Sequence, residues 1–494
     1  MQFNSYLYVF VFLPLVWALY TLFRTKPAAK WILLLASCFF YGFFAPVFLI
    51  PLLVSGVVDY NIGVRLAGGS DRVRKLLLIA SCVLNLGMLA VFKYTNWLTR
   101  LLQPVGEFVG VSIPATDIPL PPGISFYTFQ TLCYVIAVYQ MQFAPTKKFI
   151  DYMNYIMFFP QLVAGPIERA QNLLPQLSGV RPMVSARDAS GGLFLILFGL
   201  FKKLVLADNF GGIVEFIGQA MPLDAGQPVP GLGLLFAYAF AGQIYCDFSS
   251  YSDIALGSAM LFNVNLMRNF ATPYLSVNPA QFWAGWHISL TTWLREFLFT
   301  PLCFWMAGDG RRGRTVHVLL AMFLTMVLCG LWHGAGVMFL LWGAFHGALY
   351  AAYVLCPVDR YLRRGLGRVV GSAVAWVLFL HLICFSWILF RCTSLEHLGL
   401  VMRSIAQVPQ MLSNPLSPQW ITENYVFYAL AWGLLLLTAV TLLGDLAEKL
   451  AGGDVRRLFF RLPAPAGALS ILGLVYGITF FGRRVANEFI YFAF

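Results

Sequence analysis

Long apolar runs, separated by short basic or Pro- and Gly-containing stretches, set the pattern of this chain. From Tyr6 to Phe23 almost every position is apolar, and similar runs recur at about 31–45, 47–63, 76–95, 122–142, 150–166, 189–207, 230–246, 250–266, 316–332, 335–355, 370–391, 426–446 and 465–482. A bilayer's hydrocarbon core is crossed by about 20 helical residues. Runs of that length lack the alternation of a barrel strand and predict membrane-spanning helices, the shortest leaving room for re-entrant segments. Residues 392–425 are the longest stretch outside the runs; with Asn414-Pro415 and Ser417-Pro418 they read as an exposed loop or an interfacial segment. No internal repeat or attached soluble domain interrupts the pattern, so one membrane domain over 1–494 is expected.

Composition supports this all-α, polytopic reading. Apolar residues make up 60% of the chain and charged residues 11%, against about 45–50% and about 25% in soluble domains. So few charges cannot cover a water-exposed surface, and backbone in lipid must close its own hydrogen bonds. The net charge of +12 is carried largely by loops: Arg24, Lys26 and Lys30, then 65–75, 147–148, 308–314 and 359–368. These form the expected cytoplasmic set and place the N-terminus outside. No basic stripe on a soluble face points to nucleic acid. No basic residue precedes the first run, so that run is expected to stay as a helix and not be cleaved as a signal. The nine cysteines are scattered singly and show no metal-ligand spacing.

Polar groups are costly in a bilayer, so their clusters are the places to look for chemistry. One is Pro122-Gly123 followed by Ser125, Tyr127, Thr128 and Gln130; a helix-packing surface is the competing reading. A second runs from Phe159 to Arg169, where Pro160, Gly165 and Pro166 break an apolar run. There Glu168 and Arg169 read foremost as markers of the membrane surface. A third spans Tyr245–Asp253. On one helix Asp247, Ser250 and Tyr251 share a face, whereas Asp253 lies about 120° away; Arg268 is a plausible partner for these acids, and an ion pair that only fixes packing is the rival reading. In the fourth, His287, Thr291 and Arg295 align on one helical stripe, and Ser289, Thr292 and Glu296 on another. After the basic turn at 308–314, an apolar run ends in Gly330-Leu331-Trp332-His333-Gly334-Ala335-Gly336. Glycines on both sides let another backbone or a narrow ligand approach His333. His346 is ambiguous, and His317, His381 and His397 lack supporting context.

Taken together, Pro122–Gln130, Asn154–Arg169, Lys202-Lys203 with Asp208-Asn209, Tyr245–Gly257, Arg268–Leu302 and Leu331–Gly334 resemble the membrane-bound O-acyltransferase family, in its bacterial polysaccharide branch. The resemblance covers about residues 1–350, with further helices over about 370–494. It implies a helical fold with a central funnel or tunnel. His333 would be the catalytic histidine and His287 the second histidine of the motif. Asp247, Tyr251, Asp253, Arg268, Asn269, Trp286 and Trp332 are the candidate substrate-binding residues. Two departures stand out: Ala284-Gly285 replaces two basic residues common in the family, and Ala137-Val138-Tyr139-Gln140 replaces an Asp-x-Tyr-Arg ending.

The implied chemistry suits histidine, whose ordinary pKa of about 6.5 lies near working pH and lets it accept a hydroxyl proton. The resemblance implies acetyl-CoA or another acyl thioester as donor, with no bound cofactor and no metal. It also implies residence among the lipids of a bacterial inner membrane, a periplasmic transfer partner and an exopolysaccharide acceptor. The aromatic C-terminus, Asn487–Phe494, would dock such a partner or serve as an interfacial anchor. Peptidoglycan acylation and teichoic acid D-alanylation are the alternatives within the family. A polysaccharide or lipid transporter is the alternative outside it, and it lacks the paired repeats common in that class.

Overall fold

Helix is the only regular element among the described residues, as backbone in hydrocarbon requires. The computed structural model describes residues 1–43, 45–222, 226–307, 315–411, 425–483 and 489–490. Eight helices among them are long and apolar enough to cross a membrane. The chain divides into two compact units, Met1–Gly199 with Tyr251–Arg268, and Leu200–Ser250 with Asn269–Ile490.

The first unit is built on α1 (Leu13–Phe23), α2 (Ala28–Gly42), α3 (Leu49–Leu66), α4 (Asp71–Phe108), α5 (Ile124–Tyr139), α6 (Phe149–Met157), α7 (Ala170–Ser178) and most of α8 (Ala186–Phe201). Helices α3, α4 and α5 meet around a buried carboxyl. Asp59 accepts from Ser81 Oγ and Asn85 Nδ2, each at 2.7 Å. Asn85 Oδ1 in turn accepts from Ser55 at 2.7 Å and Thr131 at 3.2 Å. Such a network is tolerable in an apolar interior because its members satisfy one another. Arg74, expected in a basic loop, is instead buried in the first turn of α4. It donates to the carbonyls of Leu66 and Tyr139, the last residues of α3 and α5, where helices leave carbonyls unpaired.

Two of the polar motifs lock together here. Gln130 Nε2 donates to the Tyr155 carbonyl at 2.6 Å, and the Tyr155 hydroxyl donates to the Gln130 carbonyl at 3.0 Å. Gly123 has φ +74°, and a Cβ there would stand 2.8 Å from the carbonyls of Leu162 and Val163, so only glycine fits. The apolar run expected over 150–166 ends as helix at Met157, because Pro160 and Pro166 cannot continue one. Glu168 departs most from its expected surface role. It is fully buried, accepts from the Met267 amide and from Asn172 Nδ2, and is pushed up to about 7 by burial.

Beyond α8 a π-helical turn, Lys202–Ala207, leads into α9 (Asp208–Ala220). The two spans expected at 230–246 and 250–266 are one helix, α10 (Leu232–Leu261). The polar stretch Asp247–Asp253 contains neither glycine nor proline, so nothing in it breaks the helix. The second unit continues with α11 (Pro279–Gly285), α12 (Ile288–Leu294), α13 (Thr300–Ala307), the hairpin of α14 (Thr315–His333) and α15 (Val337–Leu355), α16 (Val358–Gly365) and α17 (Arg368–Arg391). The hairpin closes on glycine: a Cβ on Gly330 would collide with the Phe339 carbonyl, and one on Gly343 with the Met326 carbonyl. Part of the stretch 392–425, read as an exposed loop or an interfacial segment, is helical. Ser394 accepts from the His397 amide at 3.1 Å and starts the helix Leu395–Ala406. Asn414-Pro415, Ser417-Pro418 and the basic turn at 308–314 lie outside the described residues.

Candidate active site

His333 is the last residue of α14, one step before the Gly334-Ala335-Gly336 turn, and it is buried. Its ring meets Trp342 of α15 edge-on at 5.1 Å and Phe390 of α17 at 5.2 Å, with Trp332 beside it at 4.8 Å. Of the two approaches that the glycines around it allow, a backbone's or a ligand's, the structure shows a backbone's. Phe339 of α15 packs its backbone against Gly330 and its ring against Gly334.

His287 reaches the same neighbourhood from another element. The single helix expected through 281–296 breaks at Trp286-His287, where His287 adopts φ +42°, ψ +56°. That left-handed conformation is costly for a residue with a Cβ and persists only when its surroundings hold it. Asn269 supplies the hold: its carbonyl accepts from the Ile288 amide at 2.9 Å, and its Oδ1 from the Ser289 hydroxyl at 2.6 Å. Beside this contact, the Ala271 amide donates to the Gly285 carbonyl at 2.9 Å. The break turns the fully buried His287 ring edge-on to Phe248 at 4.7 Å, with Trp332 at 6.2 Å. Trp332 thus touches both histidines. Burial lowers the His287 imidazole from its ordinary 6.5 to about 3, so its ring is neutral at working pH.

The break also dissolves the two expected polar stripes. Ser289 turns inward to Asn269, whereas Thr291, Thr292 and Arg295 all border a cavity of about 500 Å³ with Trp283, Met322, Thr325, Met326 and Tyr350. Trp283, at its inner wall, packs against Trp342 at 6.0 Å and His346 at 5.1 Å. His346 is buried in a cage of Phe282, Trp283, Trp342 and Phe345, and neither ring nitrogen has a hydrogen-bond partner among the described residues.

The remaining candidates separate. Trp286 is buried in an aromatic stack with Phe282 at 5.5 Å and Trp387 at 4.8 Å, which is packing in kind. Asp247 pairs with Lys203. Its Oδ1 accepts from Lys203 Nζ at 2.6 Å, and Lys203 also meets Asp208 Oδ1 at 3.0 Å. Residues five apart point together across a π-helical turn, which is how Lys203 and Asp208 come to one face. The C-terminal segment docks on its own chain at this place: the Ile490 amide donates to Asp247 Oδ2 at 2.7 Å, and the Phe489 ring lies 4.5 Å from Lys203 Nζ. The other residues of that segment, 487–488 and 491–494, lie outside the described residues. Tyr251, Asp253 and Arg268 belong to the first unit, where the Tyr251 hydroxyl accepts from the Ala164 amide at 3.2 Å and its ring stacks on Phe3. Sequence reasoning missed Lys203, Asp208, Trp342 and Phe390 as neighbours. A lysine inside an apolar run was a usable signal for the first pair, whereas two more aromatics in an aromatic-rich chain were none.

The membrane-bound O-acyltransferase family model matches residues 143–356. The probable alginate O-acetylase AlgI of Pseudomonas aeruginosa is 35% identical over 401 residues, covering 80% of this chain and 73% of that protein. The peptidoglycan O-acetyltransferase of Helicobacter pylori is 30% identical over 429 residues, 80% of this chain and 77% of that one. The teichoic acid D-alanyltransferase of Bacillus subtilis is 24% identical over 278 residues, 56% and 69% respectively. The chain is therefore a multi-pass membrane protein that belongs to the membrane-bound O-acyltransferase family and is an O-acyltransferase.

Proposed function

We propose that the protein moves an acetyl group from a cytoplasmic thioester, acetyl-CoA or a carrier-bound equivalent, toward hydroxyls of an extracytoplasmic exopolysaccharide at the bacterial inner membrane. The observation that carries this is the convergence of His333 and His287 on Trp332 at the closed end of the α14–α15 hairpin. Identity to the probable alginate O-acetylase over most of both chains supports the acetyl group and the polymer class.

His333 acts as general base. As the acceptor oxygen bonds to the acyl carbon, the imidazole takes the hydroxyl proton. The carbon–sulfur bond then breaks, and the proton passes to the departing thiolate, which leaves the enzyme unchanged. His287 stays neutral and orients the acyl carbonyl or the reacting hydroxyl by hydrogen bonding. Asn269 positions it by holding the left-handed turn. The cavity beside Thr291 and Arg295 suits the donor's approach. Its innermost α14 residue, Met326, lies seven residues before His333, about 10 Å along the helix. Trp283 and Trp342 stand between and would have to yield to an arm reaching the histidine. The final transfer would involve an extracytoplasmic partner of the polysaccharide machinery.

Cells carrying His333→Ala, with protein level checked by immunoblot, should make the polymer without its acetyl esters. Normal ester content would sink the assignment, and loss of the polymer itself would favour a transport role. The 30% identity to a peptidoglycan O-acetyltransferase and the more distant likeness to a D-alanyltransferase support a second acceptor class. Base-released acetate and D-alanine from purified wall and exopolysaccharide fractions separate these readings.

A further inference from the structure

A second cavity, of about 530 Å³, lies outside the histidine neighbourhood, between α15, α17 and the start of α11. It is a groove with an apolar floor that includes Leu349, Ala375 and Phe379, and its rim residues Leu378 and Leu382 are exposed. One end is closed by α16, which joins the candidate spans Val337–Leu355 and Arg368–Arg391. A short helix joining two spans sits where hydrocarbon gives way to headgroups, and α16 carries Arg360, Arg363 and Arg364 there.

The polar end of this groove is built, yet incomplete. Asp359 borders it and is buried. Its Oδ2 accepts from Arg363 and from Asn278 Nδ2. Its Oδ1 is buried with no hydrogen-bond donor among the described residues. Tyr353, also on the wall, lies close to Asp359 and Arg363. A buried carboxylate oxygen left without a donor is costly. Here it stands beside the Arg363 guanidinium, at the mouth of an apolar trough open along two membrane spans.

We propose that this groove binds a phospholipid whose headgroup carries a primary ammonium, such as phosphatidylethanolamine. The ammonium donates to Asp359 Oδ1, Arg360 and Arg363 face the phosphate, and an acyl chain lies over Leu349, Ala375 and Phe379. A phosphatidylcholine headgroup cannot replace it, because a quaternary ammonium has no N–H to donate. A lipid with an anionic headgroup would satisfy the arginines and leave Asp359 as it is. This site is independent of the acyl-transfer reading above.

The test uses the full chain reconstituted in vesicles of phosphatidylethanolamine, phosphatidylcholine and phosphatidylglycerol in equal parts. The protein is extracted into mild detergent, and the retained lipid is identified by native mass spectrometry. One phosphatidylethanolamine per chain is expected, enriched roughly tenfold over phosphatidylcholine, the ratio that one charge-assisted hydrogen bond supports. Asp359→Asn should still retain lipid but without headgroup preference, and Ala375→Phe should lose the lipid by filling the trough. Equal retention of the three lipids by the unaltered chain overturns the proposal, as does undiminished preference in both variants. Should a variant fail to fold, the unaltered chain decides alone. It should melt higher in phosphatidylethanolamine than in phosphatidylcholine nanodiscs, and equal melting in both, or equal protection by soluble phosphoethanolamine, overturns the site.

Discussion

Lys203 and His333 are both polar, both buried and both on apolar helical runs, yet their surroundings differ in kind. Lys203 sits between two carboxylates at 2.6 and 3.0 Å, with an aromatic ring over its ammonium. His333 is walled by the rings of Trp332, Trp342 and Phe390, with the second histidine across Trp332. A buried charge has to be neutralised on the spot, and once it is, the cluster does architectural work. An imidazole can be buried as a neutral ring, and in the proposed reaction its value lies in the hydroxyl proton it takes when substrate arrives. The difference predicts which variants lose chemistry and which lose the fold.

The largest effect should come from His333→Ala. Loss of a general base typically costs about 10²–10⁴ in rate, so acetyl transfer by the reconstituted enzyme should fall by that factor while the melting temperature stays nearly constant. Lys203→Met should do the reverse. It leaves Asp208 and Asp247 buried without their cation, at about 3–5 kcal/mol, and should appear as a lower melting temperature and poorer membrane yield. Adding Asp208→Asn and Asp247→Asn should recover part of the loss. Equal rate loss in Lys203→Met at unchanged stability would erase the distinction.

A smaller effect concerns Glu168, whose carboxyl is pushed up to about 7 by burial. A raised carboxyl favours the folded state fully below its unfolded value of about 4.5, and that contribution is lost as pH rises through 7. Stability in detergent should therefore fall by about 1–3 kcal/mol between pH 5 and 8, and Glu168→Gln should flatten that slope. Glu168→Gln with an unchanged slope would assign the pH dependence elsewhere. The smallest expected effect is Asn269→Ala. Removing the acceptor of Ser289 costs about 1–2 kcal/mol and loosens the turn that aims His287. The rate should fall several-fold, and the acidic limb of its pH profile should stay in place because His287 is neutral down to about 3.

Much of this molecule was legible in its residues. The apolar runs located the hairpin Thr315–His333 and Val337–Leu355 to within two residues, and glycines around His333 marked that histidine among six. The misreadings share a cause. The runs 230–246 and 250–266 read as two spans, but helix continuity depends on backbone and not on polarity, and α10 runs through the gap between them. Conversely, 281–296 reads as one helix, and only the pairing of 269–271 with 285–288 forces His287 out of it. Glu168 looked like a surface marker because local sequence does not reveal that Met267 and Asn172 will wrap a carboxylate.

What the sequence determined by itself is the solvent and the class of structure: too few charges for water, runs long enough for lipid, and backbone that must therefore be helical. It also marked His333, because a polar ring in hydrocarbon needs a reason to be there. Which groups meet was decided only by tertiary structure. Lys203 found Asp247 forty-four positions away through a π-turn and a long helix. Trp332 came to lie against both histidines because a strained turn, held by Asn269, aimed one of them. Contacts across such separations depend on how helices pack and where they break, and neither is written in the periodicity of a single run.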